Sequence, residues 1–460
     1  MFLYHSLCFL FLVSLNNFLH NLFFVSPRIV VLVIMCTRHR LFFPAVRSGL
    51  FQRPTPLLSG SSAPSTVCTS GSITSTVTAT STAAAAGKIP AIATRARPIS
   101  TNTSSLKTLT RLSTTRVSGM AGKSRSLSTS VDSAEYYWNY HGQRTSHLKV
   151  VHEQLRSQGC KSIVWLAGDS SLDNKHWLFE GEKSDPTVMM RDEVAGPAVN
   201  GYQHILKPPR MARDVCYWIN VELDKQRQAT SQQQQVPQVA AINTAVEESI
   251  LGERVDGQEP ELLPQDIFIK DHVTEDDIIV IDVGGNDVAL RPTMATALNM
   301  AALVYLSSTP IINNLSFAFA PSNGWYVGFP LGMGYFVNMF KNKLRIYIEK
   351  LIEKKKPKKV IVCMLYYLDQ TPTGGWADGV LRTLGYDSNP AKLQAIIKRV
   401  FELGTSQIQI EGVEVVPFPL FKVLDGTDTT DYIERVEPSS KGGQKMAEAL
   451  VPEILREPAK

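Results

Sequence analysis

The sequence predicts an α/β fold, a three-layer sandwich in which about five parallel strands form a central sheet covered by helices. Two observations support this prediction. Five short apolar runs alternate with segments of helical periodicity, as expected for strands that are buried on both faces of a sheet. The first three runs also end in short polar turns, where open parallel sheets carry their functional residues. The predicted strands are residues 163–167, 239–242, 278–283, 360–365 and 413–418.

Helices are predicted between these strands, wherever apolar residues recur every three or four positions. In residues 335–353, for example, Phe340 and Leu344 lie four positions apart on one apolar face. Another helix is predicted shortly after Ser171, at the end of the first strand. Its amino terminus would offer free N–H groups beside Ser170. The remaining predicted helices are 146–158, 211–223, 390–403 and 442–455.

The first 131 residues differ in composition from the rest of the chain, because they contain 13 Lys and Arg but no Asp or Glu. Residues 1–36 are strongly apolar and predict a signal peptide or a membrane anchor, hence membrane contact at this end. Residues 37–131 are rich in Ser, Thr, Ala and Arg, which predicts a disordered, transit-like segment. An organelle or the secretory pathway is the predicted destination. An alternative is a later start, at Met35 or Met120.

The body, residues 132–460, contains 34 Lys and Arg against 42 Asp and Glu. Its negative charge and its lack of a basic stripe interleaved with aromatic residues argue against a nucleic-acid partner. Its cysteines, Cys160, Cys216 and Cys363, have no metal-binding spacing and are predicted to be small buried residues. The histidines are scattered as well, so the sequence predicts neither a metal nor another cofactor.

Two insertions interrupt the alternation of strands and helices in the body. Residues 225–238 are rich in Gln and predict a surface loop. Residues 293–334 are apolar and aromatic, and they include several Pro, Asn and Gly residues. This second insertion either caps a site and shapes an apolar substrate pocket, or it forms a satellite core under a long loop.

Three polar motifs follow the first three predicted strands: a Gly-Asp-Ser that ends at Ser170, an Asn-x-Ala that ends at Ala245, and a Gly-Gly-Asn-Asp that contains Asn286. In order and structural context they resemble the first three sequence blocks of the SGNH (GDSL-type) hydrolases. The resemblance covers about residues 161–455. It implies a flavodoxin-like sheet and acyl transfer to a serine. Asp169 and Asp287 are expected to brace their turns.

The resemblance implies that Ser170 is the nucleophile. Three donors would stabilise the oxyanion: the backbone N–H of Ser170, the backbone N–H of Ala245 and the side-chain amide of Asn286. Ala245 departs from the family pattern, which usually has Gly at this position. Donors fixed on strand ends reorganise little as charge develops, and losing one typically slows such reactions roughly 100- to 1000-fold.

The last block departs further, because Glu437 stands where the family has its catalytic His and Glu434 where it has the Asp partner. Imidazole, with a pKa of about 6.5, can exchange the serine proton near neutral pH, whereas a carboxylate with a pKa of about 4.3 is a poor base. Burial or repulsion from Glu434 would raise the pKa of Glu437. His176 would lie about 120° from Ser170 on a regular helix, and the placement of His204 and His272 does not follow from the sequence.

Two functions remain open at this point. The first is a serine-dependent ester or acyl hydrolase that acts on a small-molecule, lipid or sugar ester, with Ser170 as nucleophile and Glu437 or another residue as base. The second is a binding protein of the same fold that has lost its proton shuttle. The two Glu substitutions motivate the second, whereas the complete set of oxyanion donors motivates the first.

Overall fold

The computed structural model describes residues 129–179, 186–229, 238–256, 261–320 and 326–458. The predictions for the leader, residues 1–36, therefore lie outside the described residues, as do those for all but the end of the transit-like segment. Most of the Gln-rich insertion, residues 225–238, also lies outside the described residues. Its first five positions are described and belong to a helix that ends at Ala229.

Helices separate the longer strands along the described chain, as the sequence predicts. The strands are β1 (Val131–Asp132), β2 (Ser162–Gly168), β3 (Ala195–Pro197), β4 (Leu206–Lys207), β5 (Arg210–Ala212), β6 (Val239–Asn243), β7 (Ile278–Asp282), β8 (Phe317–Phe319), β9 (Val327–Phe329), β10 (Lys359–Met364), β11 (Glu414–Pro419), β12 (Tyr432–Ile433) and β13 (Glu437–Pro438). The α-helices are α1 (Ser133–Trp138), α2 (Thr145–Ser157), α3 (Val215–Ala229), α4 (Leu251–Val255), α5 (Pro264–His272), α6 (Gly285–Ala289), α7 (Met294–Leu306), α8 (Thr309–Leu315), α9 (Met333–Val337), α10 (Leu344–Leu351), α11 (Ala377–Thr383), α12 (Pro390–Leu403) and α13 (Ser440–Leu455).

Five parallel strands form the central sheet, in the order β11–β10–β7–β2–β6. These are the five strands predicted from the sequence, and the prediction of a central parallel sheet is confirmed. From β2 the chain moves to β6 on one side and then to β7 on the other, so the strand order reverses at β2. In sheets of this kind ligands bind in the crevice outside the carboxyl ends of the strands at such a switch point.

Helices cover both faces of the sheet, because successive side chains of a strand point to opposite faces. Val164, Val280 and Ile361 point towards α3 and α13, which form one outer layer. Trp165 and Ile279 point to the opposite face, where α2, α5, α10 and α12 contribute apolar side chains to the second core. The result is the predicted three-layer sandwich. The cysteines of the body are free and buried, also as predicted.

The segment after Ser170 differs from the prediction, because no α-helix follows the first strand. The chain instead makes turns and one 3-10 turn, Lys175–Trp177. Asp173 fixes this segment through its carboxylate, which pairs with the buried Lys175 and accepts the backbone N–H of Gly142 and of Glu247. One helical turn is present, because the backbone N–H of Asp173 donates to Asp169 O at 3.0 Å. No α-helix continues from this turn in the described residues up to Phe179, so the expected helix is absent there.

The helix predicted at residues 211–223 begins later than expected. Residues 210–212 pair with β3 as the short strand β5, and the helix starts at Val215. Asp214 sets this start, because its Oδ1 accepts the backbone N–H of Tyr217 at 2.7 Å. A carboxylate that accepts an N–H of the first turn stabilises a helix at its amino terminus.

The apolar insertion at residues 293–334 contains two helices and a hairpin rather than a long loop. Met300 and Leu303 of α7 are buried in the second core, whereas β8 and β9 form an antiparallel pair. A π-helical turn, Asn338–Lys343, joins α9 to α10. In the described part of the chain no single helix is long and apolar enough to cross a membrane, although α7 and α8, bent by 106°, pass as a pair on length and composition.

Candidate active site

The carboxyl ends of β2, β6 and β7 meet outside the sheet, and hydrogen bonds join the three motifs found in the sequence. Because these bonds link neighbouring strand ends, the three motifs lie next to one another at the carboxyl edge of the sheet beside β2. The bonds run from Val246 N to Gly168 O (3.0 Å), from Asp169 N to Asp282 O (3.0 Å) and from Asn286 Nδ2 to Ser249 O (3.1 Å).

Ser170 lies at the centre of this site, two residues after β2, and is buried. Its Oγ donates a hydrogen bond to Glu437 Oε1 at 3.0 Å. Among the described residues, no histidine bonds to this hydroxyl. The ring of His176 instead packs against Tyr140 and Phe179, with centroid distances of 5.0 and 5.4 Å. The serine therefore has a carboxyl group as its hydrogen-bond partner.

Glu437 is buried, and its surroundings favour the protonated carboxyl. Burial is the main reason that its pKa lies well above the usual value, and the charge of Asp169 adds to the effect. The hydrogen bond from Ser170 acts in the opposite direction, whereas the charges of Glu248 and Asp282 raise the pKa further. Glu437 Oε2 has no hydrogen-bond partner in the described structure. A raised pKa makes this carboxylate a stronger base than an exposed glutamate.

Arg435 anchors the hairpin that carries Glu437, a role that the sequence reasoning missed. The hairpin consists of β12 and β13, and the Arg435 side chain beneath its turn is fully buried. Its Nη1 binds Asp378 and Asp387 at 2.9 Å each, and its Nε donates to Asp369 O at 3.0 Å. All three partners follow β10. The guanidinium therefore ties the hairpin that contains Glu437 to the chain that follows β10.

Two further bonds hold the hairpin on its other sides. Tyr366 donates its hydroxyl hydrogen to Val436 O at 2.6 Å. Asn174 Nδ2 donates to Pro438 O at 2.9 Å, which joins the segment after Ser170 to the strand that contains Glu437. Ser170 and Glu437 are thus held near each other by contacts that involve neither side chain.

Glu434 does not pair with Glu437, although the resemblance placed the two as partners. Its Oε2 accepts the backbone N–H of Trp376 at 3.2 Å. Gly375 makes this contact possible, because a Cβ there would lie 1.6 Å from the same oxygen. Glu434 and Arg435 form the turn of the hairpin with φ of 50° and 71°. The pKa of Glu437 therefore rises through burial and Asp169, not through Glu434.

The expected oxyanion donors differ in availability. The Ser170 N–H has no hydrogen-bond partner among the described residues, so it can still donate a hydrogen bond. Asn286 donates one amide hydrogen to Ser249 and keeps a second. The Ala245 N–H, however, donates to Asn243 Oδ1 at 3.1 Å, and Ala245 is fully buried. That N–H is already occupied.

Glu248, three residues after Ala245, is a donor candidate that the sequence reasoning missed. Its backbone N–H has no partner in the described part of the chain, and its φ is 60°, in the left-handed region. Its Oε1 accepts the hydroxyl of Tyr140 at 3.1 Å, and its charge acts on Glu437. A non-glycine residue in this conformation costs energy, so it marks a constrained position. The sequence contains no sign of that conformation.

Asp169 braces its own turn, as predicted, whereas Asp287 does not brace its own. Asp169 accepts the N–H groups of Ser171 (3.1 Å) and Gly284 (3.3 Å). Asp287 accepts those of Leu251 and Gly252, so it braces the start of α4 rather than its own turn.

Asp169 also belongs to a group of buried carboxyls. Burial raises its pKa to about 6. Asp282 has neither oxygen hydrogen-bonded within the described structure, and burial together with Asp169 raises its pKa well above the usual value. No group of three or more His, Cys, Asp or Glu among the described residues is arranged to hold a metal ion.

No family model matches this chain, and no curated protein matches its sequence. It is similar to solved structures of lipases and esterases. One is the lipase/acylhydrolase from Enterococcus faecalis, with 14% identity, a match that covers 64% of this chain and 95% of that one, and a TM-score of 0.29. A second is a carbohydrate acetylesterase from Sinorhizobium meliloti, with 14% identity, coverage of 64% of this chain and 98% of that one, and a TM-score of 0.29. A third is an acetyl xylan esterase from Geobacillus stearothermophilus, with 14% identity, coverage of 65% of this chain and 97% of that one, and a TM-score of 0.28.

Proposed function

We propose that this protein is a serine-dependent ester or acyl hydrolase, with Ser170 as nucleophile and Glu437 as general base. The observation that carries the proposal is the 3.0 Å hydrogen bond from Ser170 Oγ to Glu437 Oε1. A general base must lie about 2.6–3.2 Å from the atom whose proton it takes, and this pair meets that condition. The proposed substrate is a small-molecule ester, with lipid and sugar esters included in the class.

The proposed reaction has two halves. In the first, Ser170 Oγ attacks the ester carbonyl carbon while its proton moves to Glu437 Oε1. The negative oxygen that results accepts hydrogen bonds from the Ser170 N–H and the free Asn286 amide hydrogen. The C–O bond to the alcohol then breaks, and Glu437 returns the proton to the leaving oxygen. In the second half, water repeats these steps on the acyl-serine and releases the acid.

The environment of Glu437 supports its role as a base. An ordinary carboxylate holds a proton too weakly to accept one efficiently from an alcohol. Burial and the charge of Asp169 raise the pKa of Glu437. The difference in proton affinity between this carboxylate and the serine alkoxide is therefore smaller than for an ordinary glutamate. The raised pKa also limits activity at low pH, because the Glu437 carboxyl must lose its own proton before it can accept the proton of Ser170. Activity is therefore expected to rise with pH through the pKa of Glu437.

A fluorophosphonate probe tests this proposal, because it reacts only with an activated serine. The full-length chain is treated with the probe between pH 5 and 10, and labelled peptides are identified by mass spectrometry. We expect labelling at Ser170 that disappears in Ser170→Ala, together with Ser170-dependent hydrolysis of p-nitrophenyl acetate. Absence of labelling across the whole pH range would refute the proposed chemistry.

A second candidate is a binding protein that retains the cleft without turnover. The raised pKa of Glu437 favours it, because a protonated carboxyl cannot accept the serine proton. In this case Ser170→Ala would leave the affinity for an ester ligand nearly unchanged, and neither form would turn it over. Isothermal titration with non-hydrolysable ester analogues measures the affinity of the wild type and of Ser170→Ala. Turnover of the ester itself separates the two candidates, because only the hydrolase shows turnover that depends on Ser170.

We also propose that the first 131 residues direct the protein to an organelle or the secretory pathway. Their apolar start and acid-free, Ser- and Thr-rich composition support this. Amino-terminal sequencing of the mature protein tests it, since removal of these residues is expected. A mature chain that starts at Met1 and remains in the cytosol would contradict it.

A further inference from the structure

The described part of the chain contains one Asn-x-Ser/Thr tripeptide, Asn314-Leu315-Ser316. Any residue except proline is allowed at its middle position, and its asparagine is the acceptor for N-linked glycans in secreted proteins. A second such tripeptide, residues 102–104, lies outside the described residues. Because a pattern of three residues is common by chance, the surroundings of Asn314 decide whether it can carry a glycan.

Asn314 lies in the last turn of α8, on the side of the helix that faces water. Ile312 is fully buried and so marks the inner side of this helix. Successive residues of an α-helix are rotated by about 100°, so Asn314 lies about 200° from Ile312, on the opposite side. Its neighbours Asn313 and Leu315 are exposed as well. A glycan on Asn314 would therefore extend into solvent and displace no packed side chain.

The side-chain amide of Asn314 makes no hydrogen bond with any other described residue. Asparagines of the core differ in this respect. The amides of Asn174, Asn220 and Asn243 donate to backbone carbonyls at 2.9–3.0 Å. Replacing a hydrogen of those amides would break a structural contact, whereas replacing one on Asn314 would break none.

Ser316, the third residue of the tripeptide, is buried in the folded protein. Its hydroxyl donates to Ile312 O, and its own carbonyl accepts a hydrogen bond from Arg399 Nη2 at 3.0 Å. The hydroxyl belongs to the sequence that the transferase recognises. A transferase can therefore reach it only before the helix and these bonds form, so the glycan would be added during translocation of the nascent chain.

We propose that Asn314 carries an N-linked oligosaccharide, which is added as the chain enters the endoplasmic reticulum. In this step Asn314 Nδ2 forms a bond to the anomeric carbon of a lipid-diphosphate-linked oligosaccharide. The bond from that carbon to the diphosphate oxygen breaks, and the lipid diphosphate leaves with the electron pair. Nδ2 loses one proton to a basic group of the transferase.

The proposal rests on the proposed entry into the secretory pathway, but not on the proposed hydrolase chemistry. α8 packs against α12. The hydrogen bonds described for Ser170, Glu437 and Asn286 involve other parts of the chain. A glycan on α8 would thus leave these bonds unchanged.

Cell-free translation of the full-length chain tests the proposal, with and without microsomes of the endoplasmic reticulum. Resistance to added protease reports entry into the microsomes. A mobility shift that peptide:N-glycosidase F removes reports the glycan. Removal in heavy-oxygen water leaves a labelled aspartate at the modified position, which mass spectrometry locates. We expect a protease-resistant chain with this label at position 314.

Four substitutions make the test specific, and each is made in a chain that also contains Asn102→Gln, so that only one tripeptide remains. Asn314→Gln and Ser316→Ala should both lose the shift completely. Ser316→Thr should keep it, because the hydroxyl remains. Asn313→Gln is the matched control, since this adjacent asparagine is exposed on the same helix but lies outside the tripeptide, and it should also keep the shift. A variant that failed to fold would still report, because the measurement is of a covalent bond.

Three results would overturn the proposal. A chain that is protected from protease but has no glycan at position 314 would refute the acceptor site and leave the proposed destination intact. A shift that persists in Asn314→Gln would place the glycan on another residue. A chain that stays outside the microsomes would refute the proposed destination, and this modification with it.

Discussion

Replacing Glu437 with Gln removes the proposed base while leaving the shape of the site almost unchanged. The glutamine has the same length and keeps an oxygen that can accept the hydrogen bond from Ser170 Oγ, now 3.0 Å from Glu437 Oε1. It cannot take up a proton. The hairpin position should also survive, because Arg435, Tyr366 and Asn174 hold it through bonds that do not involve this side chain.

The expected loss of activity follows from what a general base contributes. Such a group typically accelerates a reaction about 10²- to 10⁴-fold, which is roughly 2.7–5.4 kcal/mol of transition-state stabilisation. The variant should not be less stable. The folded protein raises the pKa of Glu437, so this carboxyl stabilises the fold below about pH 4.3 and that stabilisation is lost as the pH rises through the raised value. Glu437→Gln should therefore melt higher than the wild type at pH 8.

The assay is kcat/KM for p-nitrophenyl acetate between pH 5 and 9, with melting temperatures measured in the same buffers. Wild-type activity should rise with pH through a pKa well above 4.5, and the variant should lose this rise together with the rate. Glu349→Gln, which alters an exposed carboxylate on α10, serves as control. A Glu437→Gln enzyme that keeps more than a third of wild-type activity would show that another group accepts the proton.

Three further predictions concern individual side chains. Asn286→Ala should lower kcat about 100- to 1000-fold with little change in KM, because it removes a side-chain donor to the oxyanion; an equal rise in KM would instead indicate a role in substrate binding. Glu434→Gln should change kcat less than about threefold, because Trp376 N rather than the base is its partner; a loss as large as that of Glu437→Gln would establish the two carboxyls as a working pair. Asp214→Asn should raise the stability in urea at pH 8 but not at pH 3. Burial raises the pKa of Asp214 to about 7, so ionising it above that pH costs the fold on the order of 4 kcal/mol, and equal stability at pH 8 would contradict this.

The sheet could be predicted from the sequence because its strands are buried on both faces. Such strands appear in the sequence as short apolar runs, and the turns after them appear as polar breaks. This pattern is local and does not depend on contacts with distant parts of the chain. The position of Ser170 after the first strand followed from this order. Its pairing with Glu437 was implied only by the family resemblance.

Other parts of the site depend on contacts that are remote in sequence. The predicted helix after Ser170 is absent because Asp173 binds the backbone at Gly142 and Glu247, 31 and 74 residues away. Arg435 escaped notice because its partners precede it by 48 to 66 residues. Neither relation leaves a periodic or local pattern, so neither could be read from the order of residues alone.

The hairpin of β12 and β13 fixes the backbone position of residue 437 without using its side chain. Arg435, at its turn, fixes where the side chain of residue 437 begins, whatever that side chain is. A different proton acceptor could therefore be exchanged at this position by a single codon change without rebuilding the support. The hairpin thus supports position 437 in the same way for any residue there, and the proposed chemistry depends on the side chain at that one position.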